Sequence, residues 1–185
     1  TQAVHYTRGR LQRDRRTGIC PGDAGTQRAI AKRRHPRRLH RVRFEFRRQA
    51  GIVLGARLAG FPGKIRGISV DQSPSQNPSY KSDLAAVANE SAALIDYRYD
   101  FSERYFTVNY DYLGQGYGVL GDLEREATRS TAQTEGLLAD PVYTGRTMGG
   151  LMDLIKQGYF LREDTILFWH TGGAPALFAY AQELI

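Results

Sequence analysis

The charge of this chain is divided at about residue 50, and that division limits what can fold. Residues 1–50 hold 15 Lys and Arg against 3 Asp and Glu, whereas residues 51–185 hold 11 against 16. The first part is strongly cationic, with runs such as Arg33-Arg34-His35-Pro36-Arg37-Arg38, and shows scarcely any apolar periodicity. From Gly51 onward, apolar segments alternate with Gly, Pro, Ser and Asn turns, the pattern of an α/β protein. At 185 residues the chain has length for one domain, or part of a larger one. No stretch approaches the ~20 apolar residues of a membrane span. A single cysteine, Cys20, excludes an internal disulfide, so a cytoplasmic, reducing compartment is expected.

Within the second part, helices are expected over residues 51–60, 81–95, 122–133, 148–157 and 174–184. Strands are expected over residues 64–70, 105–110 and 165–169, with a loop over 71–80 and a short buried segment over 137–142. Asp122, Glu124 and Glu126 favour a helix start there, because the helix dipole attracts acids to its first turns. The last helix opens directly after His170-Thr171-Gly172-Gly173, which would turn its free N–H groups towards an anion or cofactor at the end of the preceding strand.

Three motifs could carry chemistry. Gly114-Gln115-Gly116-Tyr117-Gly118 lets the backbone approach a ligand and presents a phenol beside it. Asp140-Pro141-Val142-Tyr143-Thr144-Gly145-Arg146 turns from a strand end into a helix. His170-Thr171-Gly172-Gly173 follows a strand. Each taken singly reads as ordinary turn chemistry, a surface tyrosine or a satisfied histidine. No metal is expected.

Their order and spacing carry more. Gly116-Tyr117-Gly118, residues 121–127, Thr134-Glu135-Gly136, residues 140–146 and residues 166–178 together resemble the C-terminal part of the D-cysteine desulfhydrase and aminocyclopropane-carboxylate deaminase family. Gln49-Ala50-Gly51 and Leu54-Gly55 resemble the end of that family's phosphate loop and the helix after it, so the resemblance covers about residues 49–185. It implies a three-layer α/β fold on a twisted, mostly parallel sheet, the type II pyridoxal-phosphate fold, here truncated. It implies pyridoxal 5'-phosphate as cofactor, a small amino acid as substrate, and a homodimer for the full-length family. Tyr117 and Tyr143 would be the catalytic tyrosines on the substrate side of the ring. Thr144 would face the pyridine nitrogen, and Gln49, Ala50, Gly51, His170, Thr171, Gly172 and Gly173 would help hold the cofactor. The deaminases resemble one another in a glutamate at the Thr144 position; a threonine can only share a hydrogen bond there, which makes a weaker electron sink. That sink suffices for expelling hydrosulfide, so the resemblance points to a lyase turning D-cysteine into pyruvate, ammonia and hydrogen sulfide. The deaminase is the alternative.

The family's cofactor lysine has no counterpart among Lys32, Lys64, Lys81 and Lys156, and Phe44-Glu45-Phe46-Arg47-Arg48 stands where a Gly and Ser phosphate loop should be. Little or no activity is expected of the chain as it stands. Three readings of residues 1–48 are open: a basic arm that binds nucleic acid through phosphates, a solvated tail, and an out-of-frame translation of the family's N-terminal segments. The tail outweighs the arm, making nucleic acid a disfavoured partner, and the frame shift is preferred to both.

Overall fold

The computed structural model describes residues 2–7, 10–13, 39–43 and 46–184, with side chains from Arg48 onward. Six strands form one sheet: β1 (Gln2–Thr7), β2 (Arg10–Arg13), β3 (Leu39–Arg43), β4 (Lys64–Ile68), β5 (Thr107–Asn109) and β6 (Thr165–His170). Their order is β2-β1-β6-β3-β4-β5. β6, β3, β4 and β5 run parallel, and β1 joins β6 and β2 antiparallel. Parallel neighbours need crossovers, which the helices supply. Three strands come from the Arg-rich segment, where no apolar pattern marks them; they belong to the sheet through backbone pairing, which is indifferent to side-chain type. Residues 1–48, read as a basic arm, a tail or, preferably, an out-of-frame segment, lie largely outside the described residues.

Helices α1 (Phe46–Leu58) and α2 (Tyr80–Ala93) cover one face. Ala50, Val53, Leu54, Leu84 and Ala88 build its core. Helices α3 (Asp122–Glu135) and α4 (Thr144–Lys156) cover the other, where Ala127, Met148, Leu151 and Leu154 meet Ile68, Ile166 and Phe168. The period-2 alternation of β4 divides its side chains between these cores: Ile65 packs on one and Ile68 on the other. The expected three-layer, mostly parallel architecture is therefore present. Gly149 and Gly150 bring α4 close, since a Cβ on Gly149 would lie 2.4 Å from Leu123 and one on Gly150 2.9 Å from Tyr112.

Several boundaries differ from expectation. α1 begins at Phe46, five residues early, so Phe46, Arg47 and Arg48, which stand in place of part of the phosphate loop, lie in its first turn. α4 begins at Thr144 instead of 148. β4 ends at Ile68 and β5 spans only Thr107–Asn109. The last expected helix is replaced by a 3-10 turn, Ala174–Phe178, and a four-residue helix α5 (Ala181–Leu184). Phe178 is 87% exposed and neither short element buries a side chain, so little apolar burial stabilises regular helix there. No extended helix N-terminus thus follows the Gly172-Gly173 turn.

Candidate functional site

The site is assembled at the C-terminal end of β6 and the N-terminal end of α4. Asp140 is fully buried, and its side chain performs the capping. One carboxylate oxygen accepts the N–H groups of Val142 (3.0 Å) and Tyr143 (2.7 Å). The other accepts the N–H of Thr144 (2.8 Å) and the Thr144 hydroxyl (2.7 Å), which in turn accepts the Asp140 N–H (2.7 Å). Asp followed by Pro is the pattern of a cap and a first helical residue, so an early start of α4 was readable in the sequence.

The same carboxylate meets the turn after β6. Gly173 has φ +102°, and a Cβ there would stand 2.3 Å from Asp140 Oδ1. Only glycine combines that backbone with that approach. His170 accepts the Gly172 N–H at Nδ1 (3.2 Å), which leaves Nε2 carrying the hydrogen that reaches the Leu138 carbonyl (3.0 Å). Burial, the larger influence, holds the His170 pKa below the ordinary histidine value. Folded His170 therefore resists protonation while the unfolded chain takes up a proton near pH 6.5, so this contribution to stability is complete above that pH and declines as pH falls through the histidine range. Urea titrations between pH 8 and 5 should show a steeper acid-side loss for the native chain than for His170→Gln. Parallel curves would contradict this.

Tyr117 and Tyr143 come together although 26 residues apart. Their hydroxyls are hydrogen bonded, and the rings meet edge to face with centroids 5.7 Å apart. Tyr117 is 54% exposed, so the pair has one side open to solvent. Thr144 lies beside Tyr143 but is fully buried, its hydroxyl closed in the reciprocal pair with Asp140. Thr171 is tied to the start of α1, where Arg48 Nη1 donates to its carbonyl (3.4 Å). Gln49, Ala50 and Gly51 occupy helix instead of loop. Gln49 is buried and donates to the Thr107 carbonyl (3.1 Å), Ala50 sits in the core, and Gly51 faces solvent. Tyr117, Tyr143, Thr144, His170 and Gly173 thus form one constellation, adjoined by the start of α1 through Arg48.

Two residues of this region were not marked as site residues by their types. Arg146 and Glu124 are buried as an ion pair beneath the tyrosine loop, Nε to Oε1 at 2.5 Å. The signal available was the spacing from Gly121 to Glu124, that of a capping side chain at the third helical position; Glu124 Oε2 does accept the Gly121 N–H (2.9 Å). A separate cavity of about 510 Å3 lies at the β4–β5 edge, lined by Arg66, Ile68, Asn109, Leu154 and Tyr159 among others, and no residue of the tyrosine constellation borders it.

No protein-family model matches the chain. Curated proteins do. The 1-aminocyclopropane-1-carboxylate deaminase of Rhizobium rhizogenes is 36% identical over 132 residues, which are 71% of this chain and 38% of that protein. The enzyme of the same name from Ralstonia pickettii is 35% identical over 133 residues, 72% of this chain and 38% of that protein. Over 71% of its length the chain is thus similar to 1-aminocyclopropane-1-carboxylate deaminases. A solved structure described as a homologue of that deaminase superposes with a TM-score of 0.67, at 27% identity, over 86% of this chain and 48% of the other. The fold is accordingly that of the type II pyridoxal-phosphate enzymes. The chain spans about two fifths of the length of the curated relatives it matches. Their names favour the deaminase over the desulfhydrase branch that Thr144 suggested.

Through Asp140 the tyrosine pair meets the 170–173 turn, the residues that the resemblance assigns to the cofactor. No described lysine is placed to hold it covalently. Lys64 pairs in register with His40, as does Ile166, so it lies about 13 Å of strand rise below His170. Lys81 sits on α2, across the sheet from α4. Lys156 is exposed at the far end of α4 beside Glu126 (3.4 Å). Lys32 lies outside the described residues.

Proposed function

We propose that this chain carries the tyrosine-lined face of a pyridoxal-phosphate lyase that acts on a small amino acid, of the 1-aminocyclopropane-1-carboxylate deaminase type. The observation that supports it is the Tyr117–Tyr143 pair beside the capped start of α4 and the 170–173 turn, in a chain about 36% identical to deaminases. When bound, the cofactor supplies the electron sink. The chain's own part is orientation and proton handling. Each phenol can donate to a substrate carboxylate or accept from an amine, and because the two hydroxyls share a hydrogen bond, a proton taken at one can be passed to the other. Asp140 and His170 act at one remove, fixing the backbone from which Tyr143 projects and the turn opposite it.

A second reading, D-cysteine desulfhydrase, is favoured by Thr144, which brings no carboxylate where the deaminases resemble one another in having one. One assay separates them. With pyridoxal phosphate in excess, ammonia and 2-oxobutanoate are measured from 1-aminocyclopropane-1-carboxylate, and sulfide and pyruvate from D-cysteine. The expected rate lies above that of cofactor in buffer alone and well below the ~1–10³ s⁻¹ of ordinary enzymes. Tyr117→Phe/Tyr143→Phe should reduce the excess by about 10²-fold or more. Sulfide release without 2-oxobutanoate would favour the second reading, and no excess with either substrate would refute both for this chain.

A further inference from the structure

We infer that Arg146 is a positioning residue that holds Tyr117 against Tyr143, through a buried guanidinium clamp on the backbone of the loop that carries Tyr117. Arg146 has no exposed surface, and every guanidinium nitrogen is engaged. Nε donates to Glu124 Oε1 (2.5 Å). Nη1 donates to the carbonyls of Val70 (3.0 Å), Leu113 (2.8 Å) and Gly116 (2.9 Å), and Nη2 to that of Val119 (2.8 Å). Three of these four carbonyls belong to the single loop 113–119, and they converge on one planar fork. A lysine's single ammonium could not serve them all. Convergence requires backbone turned inwards: Gly114, Gly116 and Gly118 all have positive φ. Space is as tight as the dihedrals, since a Cβ on Gly114 would stand 3.2 Å from Arg146 Nη2.

The clamp bears on Tyr117 in particular. The peptide unit entering Tyr117 is the one whose carbonyl, Gly116, Arg146 holds. On its far side the Gly118 carbonyl accepts from the Tyr180 hydroxyl (2.6 Å), and Gly121 is fixed by the second oxygen of Glu124. Tyr143 lies three residues before Arg146, one helical turn away on the same face. The start of α4, from its N-cap Tyr143 to Arg146, therefore carries one ring of the pair and the group that grips the loop of the other. A displacement of about 1 Å at such a pair can cost about 10²-fold in rate, so the clamp would set the site without touching substrate.

The test reads geometry alone, and its outcome is independent of the ammonia assay. Brief photo-oxidation of the full chain couples neighbouring tyrosines, and peptide mass spectrometry quantifies the Tyr117–Tyr143 cross-link. Tyr99 and Tyr105, with hydroxyls 2.5 Å apart and ring centroids 5.6 Å apart in the other core, provide an internal reference in the same molecule. The double variant Arg146→Met/Glu124→Gln removes the clamp without stranding a buried charge, and its glutamine still accepts the Gly121 N–H. Its ratio of the 117–143 to the 99–105 cross-link should fall about tenfold, with Arg146→Lys intermediate. An unchanged ratio would overturn the inference. So would an equal loss of both cross-links, which would assign Arg146 to the fold as a whole.

Discussion

Replacing Arg146 alone with methionine is expected to cost about 3–5 kcal/mol of folding free energy. Volume is roughly conserved, so cavity formation is not the cause. The change leaves Glu124, 3% exposed, as an uncompensated carboxylate, and it withdraws the donor from four carbonyls between Val70 and Val119. A charge so placed keeps its full desolvation penalty after its partner is gone. Adding Glu124→Gln should return the share of the loss due to the carboxylate, because a neutral side chain of the same shape can stay buried while still bonded to Gly121. The measurement is the urea midpoint of the two variants against the native chain, with slopes compared to verify a common unfolded state. A single-variant loss below about 1 kcal/mol, the scale of an exposed pair, would show that the guanidinium and carboxylate are not buried together as described.

Replacement of Asp140 by alanine should destabilise by about 3 kcal/mol, the sum of a lost helix cap and of buried donors without acceptors. The N–H groups of Val142, Tyr143 and Thr144 and the Thr144 hydroxyl all end on that carboxylate, in a place without solvent. Gly173→Ala should also destabilise, from its positive φ and from the clash with Oδ1. The two are not independent. Deleting the carboxylate empties the space the new methyl would enter, so the double variant should be more stable than the sum of the single losses predicts, by about 1 kcal/mol. Additivity within about 0.3–0.5 kcal/mol would mean that the 170–173 turn does not rest on Asp140.

The places where sequence reading and structure agree share a property. α2, α3, β4 and β6 are marked by periodicity over five or more residues, and their type was correctly expected because burial of one face follows directly from the spacing of apolar residues. Where expectation failed, the deciding contact was a specific one. α4 starts at Thr144 because Asp140 caps it, a pattern written in Asp140-Pro141 yet weaker than the apolar spacing that begins at Met148. The final helix fails because the segment after Gly173 buries no side chain and so has no apolar face to pack. β1, β2 and β3 had scarcely any apolar signal, and pairing with neighbours defines them.

By itself the sequence determined the α/β class, the resemblance to the deaminases and the identity of the motif residues, since each is encoded in the order of residue types along the chain. Tertiary structure alone decided which residues meet. Tyr117 reaches Tyr143 across 26 positions, Glu124 reaches Arg146 across 22, and Asp140 reaches Gly173 across 33. The charge division at residue 50, so prominent in composition, locates none of these contacts. The physical reason is desolvation. A buried ion pair or carboxylate is tolerated only where donors from distant segments converge on it, and that convergence arises from packing of two helices over the parallel sheet rather than from any local run of residues.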